Sequence, residues 1–187
     1  MKHIATDVMD STARLASMLS AQIDKPGLAM DPYFYRSHVT YQTELTELIF
    51  KSWLYAGHIS QLQRNGDFFL FDIGEDSIII CRDNKGQIRA HHNICRHRGA
   101  RVCEQAEGNR KAFICPYHGW AYDNDGSLKA ARDMDMLAGF DAANYPLKSV
   151  RLEIYQALIF INCNHHASEF RPFLQPISKP LSAYDLT

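Results

Sequence analysis

The chain has 187 residues, of which 46% are hydrophobic and 22% charged, with a formal net charge of -1. That length accommodates one good-sized domain with an appendage. The balance of charge offers no basic excess to attract nucleic acid, and the longest apolar runs, such as Ala157–Ile161, are too short to cross a bilayer.

The first residues, Met1 to Asp10, lack the apolar core of a signal peptide, and five irregularly spaced cysteines do not form a secreted disulfide framework. A cytoplasmic chain without nucleic-acid or membrane partners is therefore expected. Residues 11–23 place Leu15, Met18, Leu19 and Ile23 on one helical face, with Ser11 or Thr12 as cap and Lys25-Pro26-Gly27 as stop. A second helix is expected from about Thr43, with Leu45, Leu48, Ile49 and Trp53 as its buried stripe and Gly57 as terminator.

Beyond it the period changes from that of a helix to that of a strand. Asp67–Asp72 and Ser77–Arg82 read as strands joined through Gly74-Glu75-Asp76, and Asp83–Gly86 reads as a turn before a strand over Gln87–Ile94. Lys111–Cys115 is a further strand, Trp120–Gly126 a strand with a tight turn, and Val150–Cys163 a pair of β-like runs. Short strands with Asn, Asp and Gly turns predict a mainly β, antiparallel barrel or sandwich preceded by two helices. The tail from Ser168 carries Pro172, Pro176 and Pro180 and reads as a linker, neither strand nor helix. The expected organisation is a helical arm over 1–45, a domain with its lead-in over 46–164, and a linker over 165–187.

The chemistry gathers in one stretch. Cys95-x-His97 and Cys115-x2-His118 are separated by seventeen residues, each pair leaving a strand, with Gly99, Pro116 and Gly119 beside them. Thiolate and imidazole suit zinc or iron–sulfur iron. A zinc module would close all four donors on one ion, but zinc fingers pair Cys with Cys and His with His along the chain. Here each loop supplies one of each, which suits a two-iron cluster whose one iron takes both cysteines and the other both histidines.

The Cys-Arg-His-Arg-Gly and Cys-Pro-Tyr-His-Gly-Trp segments resemble the signature of the large subunits of Rieske non-haem iron oxygenases. Phe50–His58 and Gly66-Asp67 are similar to the segment that precedes the cluster there, and the resemblance covers roughly residues 30–165. It implies a Rieske-type [2Fe–2S] cluster on Cys95, His97, Cys115 and His118. It also implies an oxidoreductase component that passes electrons from a reductase or ferredoxin to a mononuclear Fe(II), for O2-dependent hydroxylation or demethylation. In that family the Fe(II) lies in a C-terminal catalytic domain of the same or a neighbouring subunit of a trimer. No ligand set for it is visible here, so either an N-terminal piece of a longer oxygenase or a split cluster subunit, without catalytic residues, is expected, the piece being favoured. The look of the segment leans towards quaternary-amine rather than aromatic-ring enzymes. A stand-alone Rieske ferredoxin-like carrier and a zinc-stabilised interaction module are the alternatives.

Two thiolates with two neutral imidazoles leave an oxidised cluster near neutrality, where four thiolates make it anionic, so the mixed set is easier to reduce. Arg96 and Arg98 are candidates to offset the added electron or simply solvated charges; Tyr117 is a candidate neighbour of the cluster or a packed loop residue. Trp120 is expected to cover the site with apolar surface. Cys81, Cys103 and Cys163 read as small buried residues. His91 and His92 are expected to point to opposite faces, and His165-His166 with Glu169 are rejected as an iron site, because adjacent histidines on extended chain point apart.

Overall fold

The computed structural model describes residues 10–134 and 136–186, which fall into two compact units divided between Lys51 and Ser52. In the first unit, Ser11 Oγ accepts the Arg14 N–H and opens α1 (Thr12–Ile23). Ser37 Oγ likewise accepts the Thr40 N–H and opens α2 (His38–Glu47), earlier than the expected start at Thr43. The carboxylate of Asp10 accepts the Tyr33 hydroxyl at 2.7 Å, the Ser37 hydroxyl at 2.8 Å and the Val39 N–H at 3.1 Å. The Tyr33 bond leads in holding its carboxyl down at about 2. The expected stripe through Leu48, Ile49 and Trp53 does not form: α2 ends at Glu47, Leu48 is exposed, and Trp53 is buried in the second unit. Gly57 lies in a strand and stops no helix.

The second unit is antiparallel β-structure. Its strands are β1 (Leu54–His58), β2 (Asp67–Ile73), β3 (Asp76–Arg82), β4 (Ile88–His92), β5 (Glu107–Asn109), β6 (Ala112–Ile114), β7 (Ala121–Asp123), β8 (Leu128–Ala130), β9 (Arg151–Tyr155) and β10 (Leu158–Asn162). They form three sheets, ordered β1-β10-β9, β4-β3-β2-β5 and β6-β7-β8. The β2–β3 hairpin turns through Gly74 and Glu75, and Gly74 takes the positive φ (60°) that the first position of a two-residue hairpin turn requires. The sheets do not close into a barrel. Each pairs only within itself, and strands of three residues such as β5 and β8 leave open edges.

One apolar core lies between the four-stranded sheet and the β6-β7-β8 sheet. Phe68 and Ile79 meet Phe113, Tyr122 and Leu128, with the Phe68 and Phe113 rings edge-on at 5.3 Å. Cys95, Cys115 and Trp120, from the loops after β4 and β6, belong to the same cluster. The motif is therefore anchored in the core and is not carried on a mobile fringe.

The tail departs from expectation. Phe170–Leu181 is a helix, α3, despite its prolines. Pro172 sits in the first turn, where no N–H is needed. Pro176 costs about 3 kcal/mol in a helix interior. Phe170 and Leu174, one turn apart, bury against Trp53 and Phe160, and burial at about 1.5–3 kcal/mol per side chain offsets that cost. No described helix is long and apolar enough to cross a membrane.

Candidate metal centre

Two loops with the same backbone frame carry the four candidate donors. In the first, the Cys95 N–H donates to Ala100 O at 2.8 Å and the Gly99 N–H to Cys95 O at 3.0 Å. In the second, the Cys115 N–H donates to Trp120 O at 2.8 Å and the Gly119 N–H to Cys115 O at 3.0 Å. Gly99 and Gly119 close the two turns at φ 77° and 73°, a region that side-chain-bearing residues enter at a cost.

Asn93 fixes the first loop from below. Its side-chain oxygen accepts the N–H groups of Val102 and Cys103, and its amide donates to Cys103 O and Ser77 Oγ. A fully buried amide with its bonds satisfied fixes the return path of the loop.

The loops bring the donors together. The Cys95 and Cys115 side chains are buried, while the imidazoles of His97 and His118 reach the surface with ring centres 4.6 Å apart. Trp120 is buried and stacks flat on His97 at 4.9 Å and 7°. Tyr117 is exposed and lies 3.8 Å from the His118 ring. Arg98 is exposed, and its field acts on His97. Arg96 turns to a neighbouring cleft.

Electrostatics at the centre disfavour charge without a metal. Burial pushes the Cys115 thiol up. Desolvation first, then His118 and Arg98, holds the His97 imidazole below its ordinary value. His97 Nδ1 is enclosed with no hydrogen-bond partner, although a buried polar atom ordinarily finds one. An orphaned ring nitrogen beside a second imidazole, on loops that also bury two cysteines, fits a metal group as its missing partner. A single zinc would need its donors about 2.0–2.3 Å from one point. Among the described residues no three His, Cys, Asp or Glu side chains converge in that way.

The profile of the Rieske [2Fe–2S] domain matches residues 52–146, more than half of the chain. The chain belongs to the Rieske [2Fe–2S] domain family. Benzene 1,2-dioxygenase subunit alpha of Pseudomonas putida is 35% identical over 84% of this chain and 35% of its own. The glycine betaine monooxygenase oxygenase subunit of Pseudomonas aeruginosa strain UCBPP-PA14 is 33% identical over 82% of this chain, again matching 35% of its own. Among solved structures, naphthalene 1,2-dioxygenase from Rhodococcus sp. superposes with a TM-score of 0.82 over 93% of this chain and 40% of its own, at 30% identity. The quaternary ammonium Rieske monooxygenase CntA superposes with a TM-score of 0.74, also at 30% identity, over 81% of this chain and 42% of its own. The Rieske chain described here thus spans about a third of the length of these curated relatives. Ring dioxygenases and amine monooxygenases match it about equally, so the lean towards amines gains no support.

One residue of the site escaped sequence reading. The Tyr122 hydroxyl lies 3.3 Å from Cys95 Sγ and accepts the Arg96 N–H at 2.9 Å. It stands two residues after Trp120, and in a strand that spacing puts both on one face. That signal was available. His91 is buried and His92 half-buried, as alternation requires. Cys81 and Cys103 are buried in the core, and burial pushes the Cys81 thiol up to about 12. Cys163 is half-buried. His165 lines the cleft beside Arg96, His166 is exposed, and Glu169 precedes α3.

Proposed function

We propose that Cys95 and Cys115 bind one iron of the [2Fe–2S] cluster and His97 and His118 the other. In this reading the chain relays single electrons from a reductase or ferredoxin to a mononuclear iron of an oxygenase acting on aromatic rings or quaternary amines. The observation that supports it is the twin-loop frame, which buries two thiols behind two surface imidazoles.

When bound, such a cluster takes up and releases one electron at a potential raised by its neutral ligands. The chain supplies the setting. The buried cysteines keep the sulfur side in low dielectric, and Trp120 excludes water from the face of His97. The half-exposed imidazoles form the edge through which an electron enters and leaves, and their outer nitrogens can hold or release a proton as the charge behind them changes.

Anaerobically purified protein should be red-brown, contain equal iron and acid-labile sulfide, and show a paramagnetic resonance signal on reduction. Cys95→Ser or Cys115→Ser replaces a soft anionic donor by a hard neutral one, so iron and sulfide should be lost together. Full iron in either variant would remove that residue from the ligand set. A colourless protein carrying stoichiometric zinc would end the electron-transfer reading.

A further inference from the structure

The imidazole of His97 has no polar group to orient it. Its Nδ1 is enclosed without a hydrogen-bond partner, and among the described residues nothing bonds its other ring nitrogen. The torsion that turns an imidazole about its Cβ–Cγ bond is soft, so the ring plane has to be set from outside. Metal-ligating histidines ordinarily have that plane fixed by a carboxylate or carbonyl on the outer nitrogen. Here the ring's neighbours are aromatic instead. Trp120 lies parallel to it, and His118 stands edge-on at 4.6 Å and 68°.

Trp120 is itself held by two further rings. Phe140 meets it edge-on at 5.9 Å and 69°, and Tyr145 at 5.8 Å and 90°. The two act as a unit, stacked on each other at 5.0 Å and 22°. The backbone between them explains how they meet. The Asp141 carboxylate accepts the Ala143 N–H at 2.9 Å and opens a single 3₁₀ turn, Ala142–Asn144. That turn ends as the Tyr145 N–H donates to Ala142 O at 3.1 Å. The Leu147 N–H then donates to Gly126 O at 2.8 Å, and the buried Leu147 side chain pins the segment to the core.

We propose that Phe140 and Tyr145 are positioning residues of the candidate centre: together they fix the Trp120 ring, and Trp120 fixes the plane of the His97 imidazole. This rests on the ligand reading above. Trp120 closes the loop of Cys115 and His118, whereas His97 belongs to the other loop, so the stack also ties the two loops together. Edge-on aromatic pairs prefer a particular geometry, which an aliphatic side chain does not impose. Tyr145→Leu and Phe140→Leu therefore keep apolar cover but release the Trp120 ring. Tyr145→Phe keeps both.

The test uses the cluster-loaded chain with isotopically labelled histidine. After reduction, electron paramagnetic resonance gives the g values, and pulsed electron–nuclear resonance gives the orientation of each coordinating imidazole. In both leucine variants the g values should shift, one imidazole should reorient while the other stays, and iron should pass to a chelator about tenfold faster. Tyr145→Phe should match wild type. Phe170→Leu removes an aromatic ring from the separate Trp53–Phe160 cluster, so it should lower the urea midpoint and leave the spectra and the iron loss unchanged. Where a leucine variant does not load, the methionine variant at that position is read in its place. The proposal is overturned if the loaded variants at 140 and 145 keep wild-type spectra, if Tyr145→Phe shifts them as Tyr145→Leu does, or if Phe170→Leu shifts them equally. A wild-type chain that takes up no cluster overturns the ligand reading and this proposal with it, whereas a loaded wild type with unmoved variants overturns the positioning alone.

Discussion

Tyr122 places its hydroxyl 3.3 Å from Cys95 Sγ while the same oxygen accepts the Arg96 N–H at 2.9 Å. Once Cys95 is a metal-bound thiolate it can only accept, so the phenol O–H is then the donor to sulfur. A donor aimed at a thiolate favours the more negative, reduced state of whatever the thiolate binds. Burial, acting with Cys95, pushes the phenol up and keeps it protonated. Tyr122→Phe should therefore lower the midpoint potential of the loaded chain, by on the order of 50 mV if about 1 kcal/mol of differential bonding is lost. Voltammetry decides it, and an unchanged potential would show the hydroxyl to be structural only.

Gly99→Ala and Gly119→Ala should each cost about 1–2 kcal/mol in urea unfolding, because the added Cβ meets no atom within 4 Å and the whole cost is the positive φ. Gly86→Ala provides the control, since it shares the positive φ (80°) and the open space but lies in a distant turn. All three should lose similar stability, and only the first two should lose iron during dialysis against a chelator.

His91 sets a pH dependence. It is buried, its Nε2–H donates to Asn124 O at 3.1 Å, and burial holds it below the ordinary 6.5. The unfolded chain then binds more protons than the folded one as pH drops through that ordinary value. Stability is thus complete above about pH 6.5 and falls with acid. His91→Gln should cost about 1–2 kcal/mol near neutrality and flatten the loss between about pH 7.5 and about pH 5.5, read from urea midpoints. An unaltered slope would assign the acid sensitivity to other groups.

Phe170 carries the attachment of α3, with its ring 5.0 Å from Trp53 and 5.1 Å from Phe160. Phe170→Ala should cost about 3–5 kcal/mol and open residues beyond Ser168 to limited proteolysis. Resistance equal to wild type would mean that the helix holds by other contacts.

What could be read in the sequence follows from how local each signal is. The β2–β3 hairpin was legible because two continuous apolar runs, Phe68–Phe71 and Ile78–Cys81, flank the Gly74-Glu75 turn, and the donor quartet through its contiguous spacing. The strands β5 and β8 have three residues each, too few to establish a period. The segment Leu54–His58 reads in sequence as the end of a helix because Leu45, Leu48, Ile49 and Trp53 fit a helical stripe. Only pairing with β10, about a hundred residues away, makes it a strand. Prolines concealed α3, whose stability comes from Trp53 and Phe160 and not from propensity. At the site, the ligand candidates were legible as residue types. Asn93 was not, since its importance lies in which remote atoms it reaches, whereas Tyr122 could be placed on the face of Trp120 by spacing but its reach to Cys95 Sγ could not.

The two loops share a frame whose bonds all run between backbone groups of Cys95, Gly99 and Ala100, or of Cys115, Gly119 and Trp120. The histidines occupy different steps of that frame, the second after one cysteine and the third after the other, and neither imidazole takes part in closing the turn. Architecture and electrochemistry are therefore written in separate atoms. If these side chains ligate the cluster as proposed, their identity can tune how eagerly it takes an electron while the backbone frame of the loops stays the same.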